Sequence, residues 1–193
     1  MSVFPVFLKL AGRRVLVVGG GRVAAAKLQA LLAAEARVTV VAPEIVDAIA
    51  SAGVETIARA FEPHDIDGVC FVVAAAPVDV NRAVAAAAHA RGIFVNAVDD
   101  VENASAYAGA VLRRGGVTIA LSTDGVAPAL AGLLREALEA VLPDNLDSWV
   151  RCATDARRRW LAHGVPMTER RPLLLQALNR LYMQRPAVSW TKE

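Results

Sequence analysis

The feature that most constrains this chain is a short apolar run that ends in consecutive glycines, Val15-Leu16-Val17-Val18 followed by Gly19-Gly20-Gly21. An unbroken Val/Leu run without polar alternation is what a strand buried on both faces of a parallel sheet requires. Beyond the glycines the period changes: Val23, Ala26, Lys27, Ala30, Leu31 and Ala34 recur at spacings of three and four, which predicts a helix from Val23 to Ala34. Arg37 to Val41 (RVTVV) is β-branched and predicts a second strand. Strand, glycine turn, helix and strand in that order make a βαβ unit over residues 14–41, and Gly19, Gly21 and Ala24 fit G-x-G-x-x-[G/A] within it.

In such a turn the first glycine permits the tight reversal, the second lets backbone amides reach a pyrophosphate, and a small third residue lets the helix close on the strand. Gly19-Gly20-Gly21-Arg22-Val23-Ala24 is therefore the expected seat of a dinucleotide's pyrophosphate. No Gly-Lys-Ser/Thr follows, which argues against an ATP-type P-loop. One partner is missing. About 20 residues on, where an Asp or Glu ordinarily grips the adenosine ribose, stand Val41-Ala42-Pro43, with Glu44 just beyond. Backbone groups around Pro43 and Glu44 are the expected ribose contacts, Arg22 suits a 2′-phosphate, and the motif alone leaves NAD and NADP open.

The alternation continues. A short helix ending at Ala52, a weak strand at Val54–Ala58, a strand at Val69–Ala74, a helix at Val78–Ala90 and a strand at Ile93–Val98 predict a doubly wound parallel sheet. Ala75 and Val98, at the carboxyl ends of two of these strands, complete the expected cofactor contacts. After Asp99 the texture changes to a loop, a strand at Ala106–Leu112, a turn at Arg114-Gly115-Gly116 and a strand at Val117–Ser122, an antiparallel pair. From Pro128 three helices are expected, Pro128–Leu142, Leu146–His163 and Thr168–Gln184, punctuated by Pro143 and Gly164-Val165-Pro166. The fold class is α/β: a Rossmann-type sheet over residues 1–112, a small region over 113–144, and a helical module over 145–193.

Composition narrows the function. With 21 Lys and Arg against 19 Asp and Glu, the net charge of +2 gives no reason to expect nucleic acid. Cys70 and Cys152 form no CxxC or Cys/His cluster, and His64, His89 and His163 lie on different elements, so neither a disulfide framework nor a protein-held metal is expected. Cys70, beside Phe71-Val72-Val73, reads as a core residue. The mean hydropathy of +0.41 owes much to alanine, and no apolar run reaches the roughly 20 residues of a spanning helix. The stretch Val3–Leu8 contains Pro5 and precedes Arg13-Arg14, unlike a secretory leader. A cytoplasmic protein without a membrane partner is the expectation.

Taken together, several segments resemble the precorrin-2 dehydrogenase and sirohydrochlorin ferrochelatase family, the dehydrogenase module of siroheme synthase. They are Phe4-Pro5-Val6-Phe7-Leu8, Val17 to Ala24 with Lys27, Val38-Thr39-Val40-Val41-Ala42-Pro43, Asn81, and Arg91 to Asp99 (RGIFVNAVD). Ile119-Ala120-Leu121-Ser122-Thr123, Pro128-Ala129-Leu130-Ala131 and Leu134-Arg135-Glu136 continue the match in register, which spans about residues 4–143. The resemblance implies that NAD takes hydride from precorrin-2 to give sirohydrochlorin, with ferrous iron inserted afterwards by some members. It also implies a homodimer, with residues 113–144 as the dimerisation region.

By the same resemblance Asp99 is the acid/base residue, at a strand end that faces the crevice. A loop-capping carboxylate beside Asp100 is the other role its position allows. Asn96 either orients cofactor or substrate or makes a structural hydrogen bond. Ser122 and Thr123 match a hydroxyl pair near the family's substrate pocket, where phosphorylation is associated with the Thr123 position; capping the Pro-led helix is the alternative. The substrate is a polycarboxylate, so Arg113, Arg114 and Arg135 are candidate anchors, with Arg157-Arg158-Arg159 and Arg170-Arg171 of the tail more consistent with a solvated helix face. The chain departs from the family where Ala-Thr-Asp-Asp becomes Ala75-Ala76-Pro77-Val78, where Gly-Gly-x-Ser-Pro becomes Asp124-Gly125-Val126-Ala127-Pro128, and where an aromatic-x-x-Pro-Ala segment becomes Tyr107-Ala108-Gly109-Ala110. Those changes keep two alternatives in play: a non-catalytic NAD- or tetrapyrrole-binding regulator, and a chelatase without dehydrogenase activity.

Overall fold

The computed structural model describes residues 3–183. The chain divides into two compact units: residues up to Ala108 together with Asp124–Ala127, and Gly109–Thr123 together with the chain from Pro128 onward.

The first unit is a five-stranded sheet, all parallel, built from β1 (Arg14–Val18), β2 (Arg37–Val41), β3 (Glu55–Ile57), β4 (Phe71–Ala74) and β5 (Phe94–Ala97) in the order β3-β2-β1-β4-β5. Because successive side chains alternate across a strand, the apolar runs feed two cores. Leu16, Val18, Val41, Val72, Ala74, Val95 and Ala97 pack with Val84, Ala85 and Ala88 of α3 (Val78–His89). Val15, Val17, Val38, Val40 and Val73 pack with Ala24, Leu28 and Leu31 of α1 (Arg22–Leu32) and Ile49 of α2 (Asp47–Ala50). Helices thus cover both faces, as the unbroken apolar strands require.

A short 3-10 turn at Pro63–Ile66 packs near α3 and buries Ile66 in the core on that face of the sheet. Arg59 donates two hydrogen bonds to Asp65, at 2.8 and 2.6 Å, and holds that carboxyl below its ordinary range. Two expectations change here. Cys70 is exposed: it precedes β4, its N–H bonding Arg14 O at 3.0 Å at the sheet's amino edge, outside the alternation that buries Val72 and Ala74. The strand expected from Ala106 begins at Ala110, because the amides of Ser105 and Ala106 instead bond the Val95 carbonyl, at 2.9 and 3.0 Å, along the open edge of β5.

The second unit pairs β6 (Ala110–Arg114) with β7 (Val117–Leu121) antiparallel across a Gly115-Gly116 turn, both glycines having positive φ. A Cβ on Gly115 would strike the backbone of Leu146 and Asp147, so the turn sits against the start of α5. Three helices follow, α4 (Pro128–Val141), α5 (Leu146–Ala162) and α6 (Met167–Met183). Gly164, at φ 64°, ends α5 with Val165 N–H bonded to Trp160 O, and Arg170 of α6 donates back to the Val165 carbonyl. The expected end of the last helix at Gln184 lies outside the described residues.

Candidate functional site

Winding reverses between β1 and β4, which are neighbours in the sheet but not in sequence, so the ligand crevice lies at the carboxyl ends of those two strands. The glycine turn occupies it, and its three glycines serve different ends. Gly19 has φ 123°, and a Cβ there would overlap the Ala75 carbonyl on β4's outgoing loop. On Gly20 a Cβ would overlap the Glu44 carbonyl. Hydrogen bonds lock both contacts: Gly19 N–H to Val41 O at 3.0 Å, Val46 N–H to Gly20 O at 2.9 Å, and Ala75 N–H to Val18 O at 2.8 Å. Gly21 differs, since a Cβ on it would meet nothing within 4 Å.

Gly21 is also the N-cap of α1, which has no capping side chain and no acid in its first turn. The first helical bond runs from Ala25 N–H to Gly21 O, so the amides of Arg22, Val23 and Ala24 have no helical acceptor and present the positive end of the helix to the crevice. Ala24 is fully buried, which lets α1 approach the sheet closely. An open cradle ringed by unused amides fits a dinucleotide pyrophosphate. Pro43, Glu44 and Arg22 are exposed around it, and among the described residues neither charge has an ion pair or side-chain hydrogen bond.

Asn81 has a place at the crevice that sequence reasoning did not give it. It is 3% exposed, accepts from Ala76 N–H at 3.0 Å and donates to Val98 O at 3.4 Å, while Val98 N–H bonds Ala74 O at 2.9 Å. One buried amide thereby joins the loops that leave β4 and β5. The signal was available: Asn81, Val84, Ala85 and Ala88 form the buried stripe of α3, and Asn81 is its one polar member.

Asp99 follows β5 with φ 57°, left-handed backbone that Asp tolerates better than most residues. Its carboxyl is exposed and has no partner among the described residues. Asp100 does the loop capping, accepting from Asn103 N–H at 3.2 Å and from its Nδ2 at 2.8 Å, and the Tyr107 hydroxyl donates to Val101 O at 3.2 Å. Asn96 stands beside Val73 on the α1 face of the sheet, 7% exposed. Its Nδ2 donates to Ala106 O at 3.0 Å, a structural bond, while Oδ1 is buried without a partner. An unmatched buried acceptor is costly unless a donor arrives.

The remaining candidates lie in the second unit. Arg113 is exposed on β6 without an ion pair among the described residues. Arg135 on α4 is engaged by Glu136 at 3.1 Å and Glu139 at 2.8 Å, and Arg114 donates to Leu142 O at 2.8 Å. Ser122 and Thr123 follow β7, and both interact with neighbouring groups. Among the described residues no three His, Cys, Asp or Glu side chains cluster to hold a metal, and no helix is long and apolar enough to cross a membrane.

A parallel sheet wound on both faces, with an open glycine cradle at its switch point, defines a dinucleotide-binding Rossmann protein. An NAD(P)-binding family model matches residues 6–110, and the chain belongs to that family. It is 41% identical over 176 residues to siroheme synthase 1 of Aeromonas salmonicida, covering 89% of this chain and 38% of that protein. With the siroheme synthase of Photorhabdus laumondii it shares 40% identity over 184 residues, 93% of this chain and 39% of the other. The chain thus spans about two fifths of the length of these curated relatives. Among solved structures it is similar to SirC, precorrin-2 dehydrogenase, with a TM-score of 0.69 and 26% identity over 90% of this chain and 88% of that one.

Proposed function

We propose that this protein oxidises precorrin-2 to sirohydrochlorin with NAD as the oxidant, within siroheme biosynthesis. The observation that carries the reading is an open glycine cradle on β1 with an unpaired Asp99 two strands away on the same carboxyl edge of the sheet. Similarity to SirC and to siroheme synthases supplies the substrate class.

NAD supplies the hydride acceptor. The amides after Gly21 hold its pyrophosphate, and the segment Pro43-Glu44 lies at the ribose end. Ala75 and Val98 form the crevice walls, kept in place by Asn81. Removing hydride from a reduced tetrapyrrole also requires a proton to leave, and the Asp99 carboxyl takes it. Its partner Asp100 is occupied in shaping the loop, which leaves Asp99 free to meet substrate. Asn96, whose Oδ1 is buried without a partner among the described residues, is the proposed residue that orients cofactor or substrate, and Arg113, Ser122, Thr123 and Arg135 are the proposed contacts for the substrate's carboxylates. Arg135 reaches them only by exchanging its two glutamate partners. Ferrous iron is the proposed second substrate, ligated by the tetrapyrrole nitrogens while Asp99 accepts the pyrrole protons. The protein works as a cytoplasmic homodimer, with residues 113–144 as the dimerising region and a helical module from residue 145 onward, of which 184–193 lie outside the described residues.

The test is turnover of precorrin-2 with and without NAD, followed by addition of ferrous iron. NADH and sirohydrochlorin should form in equal amounts, and Asp99→Ala should lower kcat by at least about a hundredfold while NAD affinity stays within about twofold. Binding of NAD without turnover by the wild type would make the protein a regulator, and iron insertion without NAD oxidation would make it a chelatase alone.

A further inference from the structure

The bend that leaves β4 and the loop that leaves β5 both wall the crevice, and one buried side chain bonds to the main chain of each. We infer that Asn81 is a positioning residue for Asp99: it carries the seating of a dinucleotide against the Ala75-Ala76 bend across to the peptide group from which Asp99 hangs. The inference rests on the roles proposed above for the glycine cradle and for Asp99.

Three observations support it. First, Asn81 is buried on α3, and its two hydrogen bonds run in opposite senses: Oδ1 accepts from Ala76 N–H at 3.0 Å and Nδ2 donates to Val98 O at 3.4 Å. A side-chain amide accepts and donates through different atoms of one plane, so a rigid group joins the two loops. Second, the peptide between Val98 and Asp99 is planar, so the bond to Val98 O also fixes the Asp99 N–H and Cα. Val98 N–H is already held by Ala74 O at 2.9 Å, and Asp99 leaves this peptide at φ 57°, left-handed backbone that a residue other than glycine keeps only where its surroundings hold it. The Asp99 carboxyl has no partner among the described residues, so its main chain is what aims it. Third, the bend presses on the cradle: the Ala75 carbonyl fills the space a Gly19 Cβ would need, and Ala75 N–H bonds Val18 O at 2.8 Å. A ligand on the glycine turn therefore loads the same bend that Asn81 holds. The longer arm, toward Val98, is the one with room to shorten when the site fills.

The experiment is amide hydrogen exchange on the full chain, read by mass spectrometry with and without NAD, alongside turnover kinetics. In the wild type NAD should slow exchange by at least about threefold in the segment 97–103 as well as in 19–25. Asn81→Asp keeps an acceptor for Ala76 N–H, in the first turn of α3 where the helix dipole favours a negative charge, and removes the donor to Val98. It should retain the protection of 19–25, lose that of 97–103 and lower kcat by about tenfold. Asn81→Leu removes both bonds at similar volume and should lose the 97–103 protection too, so that the result does not rest on a buried carboxylate. In an Asp99→Ala background either change should lower the remaining turnover by less than about twofold, because its effect runs through Asp99. Wild-type protection confined to the glycine turn, 97–103 protection that survives both substitutions, or equal losses of turnover with and without Asp99 would each overturn the inference and leave the cofactor reading standing. A wild type whose glycine turn gains no protection from NAD overturns both.

Discussion

Adjacent residues of the same type do different work in this chain. Gly19 and Gly21 satisfy one motif, yet Gly19 is a packing requirement, while a Cβ on Gly21 would meet nothing within 4 Å. Gly19→Ala places a Cβ into the Ala75 backbone at a φ of 123° and should destabilise the fold by about 2–4 kcal/mol. Gly21→Ala, at φ −88° with open space around it, should cost less than about 1 kcal/mol but weaken dinucleotide binding by about tenfold or more. Thermal melts and calorimetric titration of the two variants separate these effects; equal loss of stability in both would contradict the assignment. Asp99 and Asp100 differ in the same way: Asp100 caps the loop through Asn103, while Asp99 has no partner among the described residues. Sequence alone could not show which of the two carboxyls reaches Asn103. The glycine cradle was legible because a strand, a turn and a helix announce it locally. The orphaned Oδ1 of Asn96 was not, because its burial depends on the chain at Ala106 returning to the edge of β5.

At the scale of elements, the strands of the parallel sheet were legible within a residue or two because burial on both faces leaves no polar alternation to confuse them. The displaced start of β6 was not. Residues 106–109 have strand-like composition, but whether they pair with β7 or with β5 is decided by partners distant in sequence. The 3-10 turn at Pro63–Ile66 carries a pH dependence. Arg59's hydrogen bonds lower the Asp65 pKa, so the carboxylate contributes stability above its unfolded value of about 3.9, and that contribution is lost as pH falls through the folded value. Asp65, 5% exposed at its side chain, is the partner to change. Asp65→Asn should lower stability at neutral pH and flatten the acid limb of a stability–pH curve below about pH 4. A variant that keeps the wild-type slope between pH 2 and about 4 would refute the linkage.

At the scale of the whole molecule, the second unit exposes apolar surface that a chain in isolation gains nothing from leaving wet. Leu130, Leu133, Leu134 and Val141 of α4 are 49, 64, 44 and 75% exposed, an apolar face of the kind on which the homodimer proposed above would close. Leu133→Lys should shift sedimentation from dimer to monomer while far-ultraviolet circular dichroism stays unchanged; a variant that still sediments as the dimer would place the interface elsewhere. The helical composition from Pro128 onward was readable in the sequence, but which face of α4 remains uncovered needed its neighbours.

The bend at Ala75-Ala76-Pro77 holds a lesson in inheritance. Gly19 rests on the Ala75 carbonyl and the Asn81 side chain grips the Ala76 amide, while the small side chains of Ala75 and Ala76 pack against the two cores. The polar contacts that fix the bend are therefore made to its main chain. A bend held in this way can differ in sequence, as Ala75-Ala76-Pro77-Val78 does from the Ala-Thr-Asp-Asp of the family it resembles, and keep its polar anchors wherever Gly19 and Asn81 are kept.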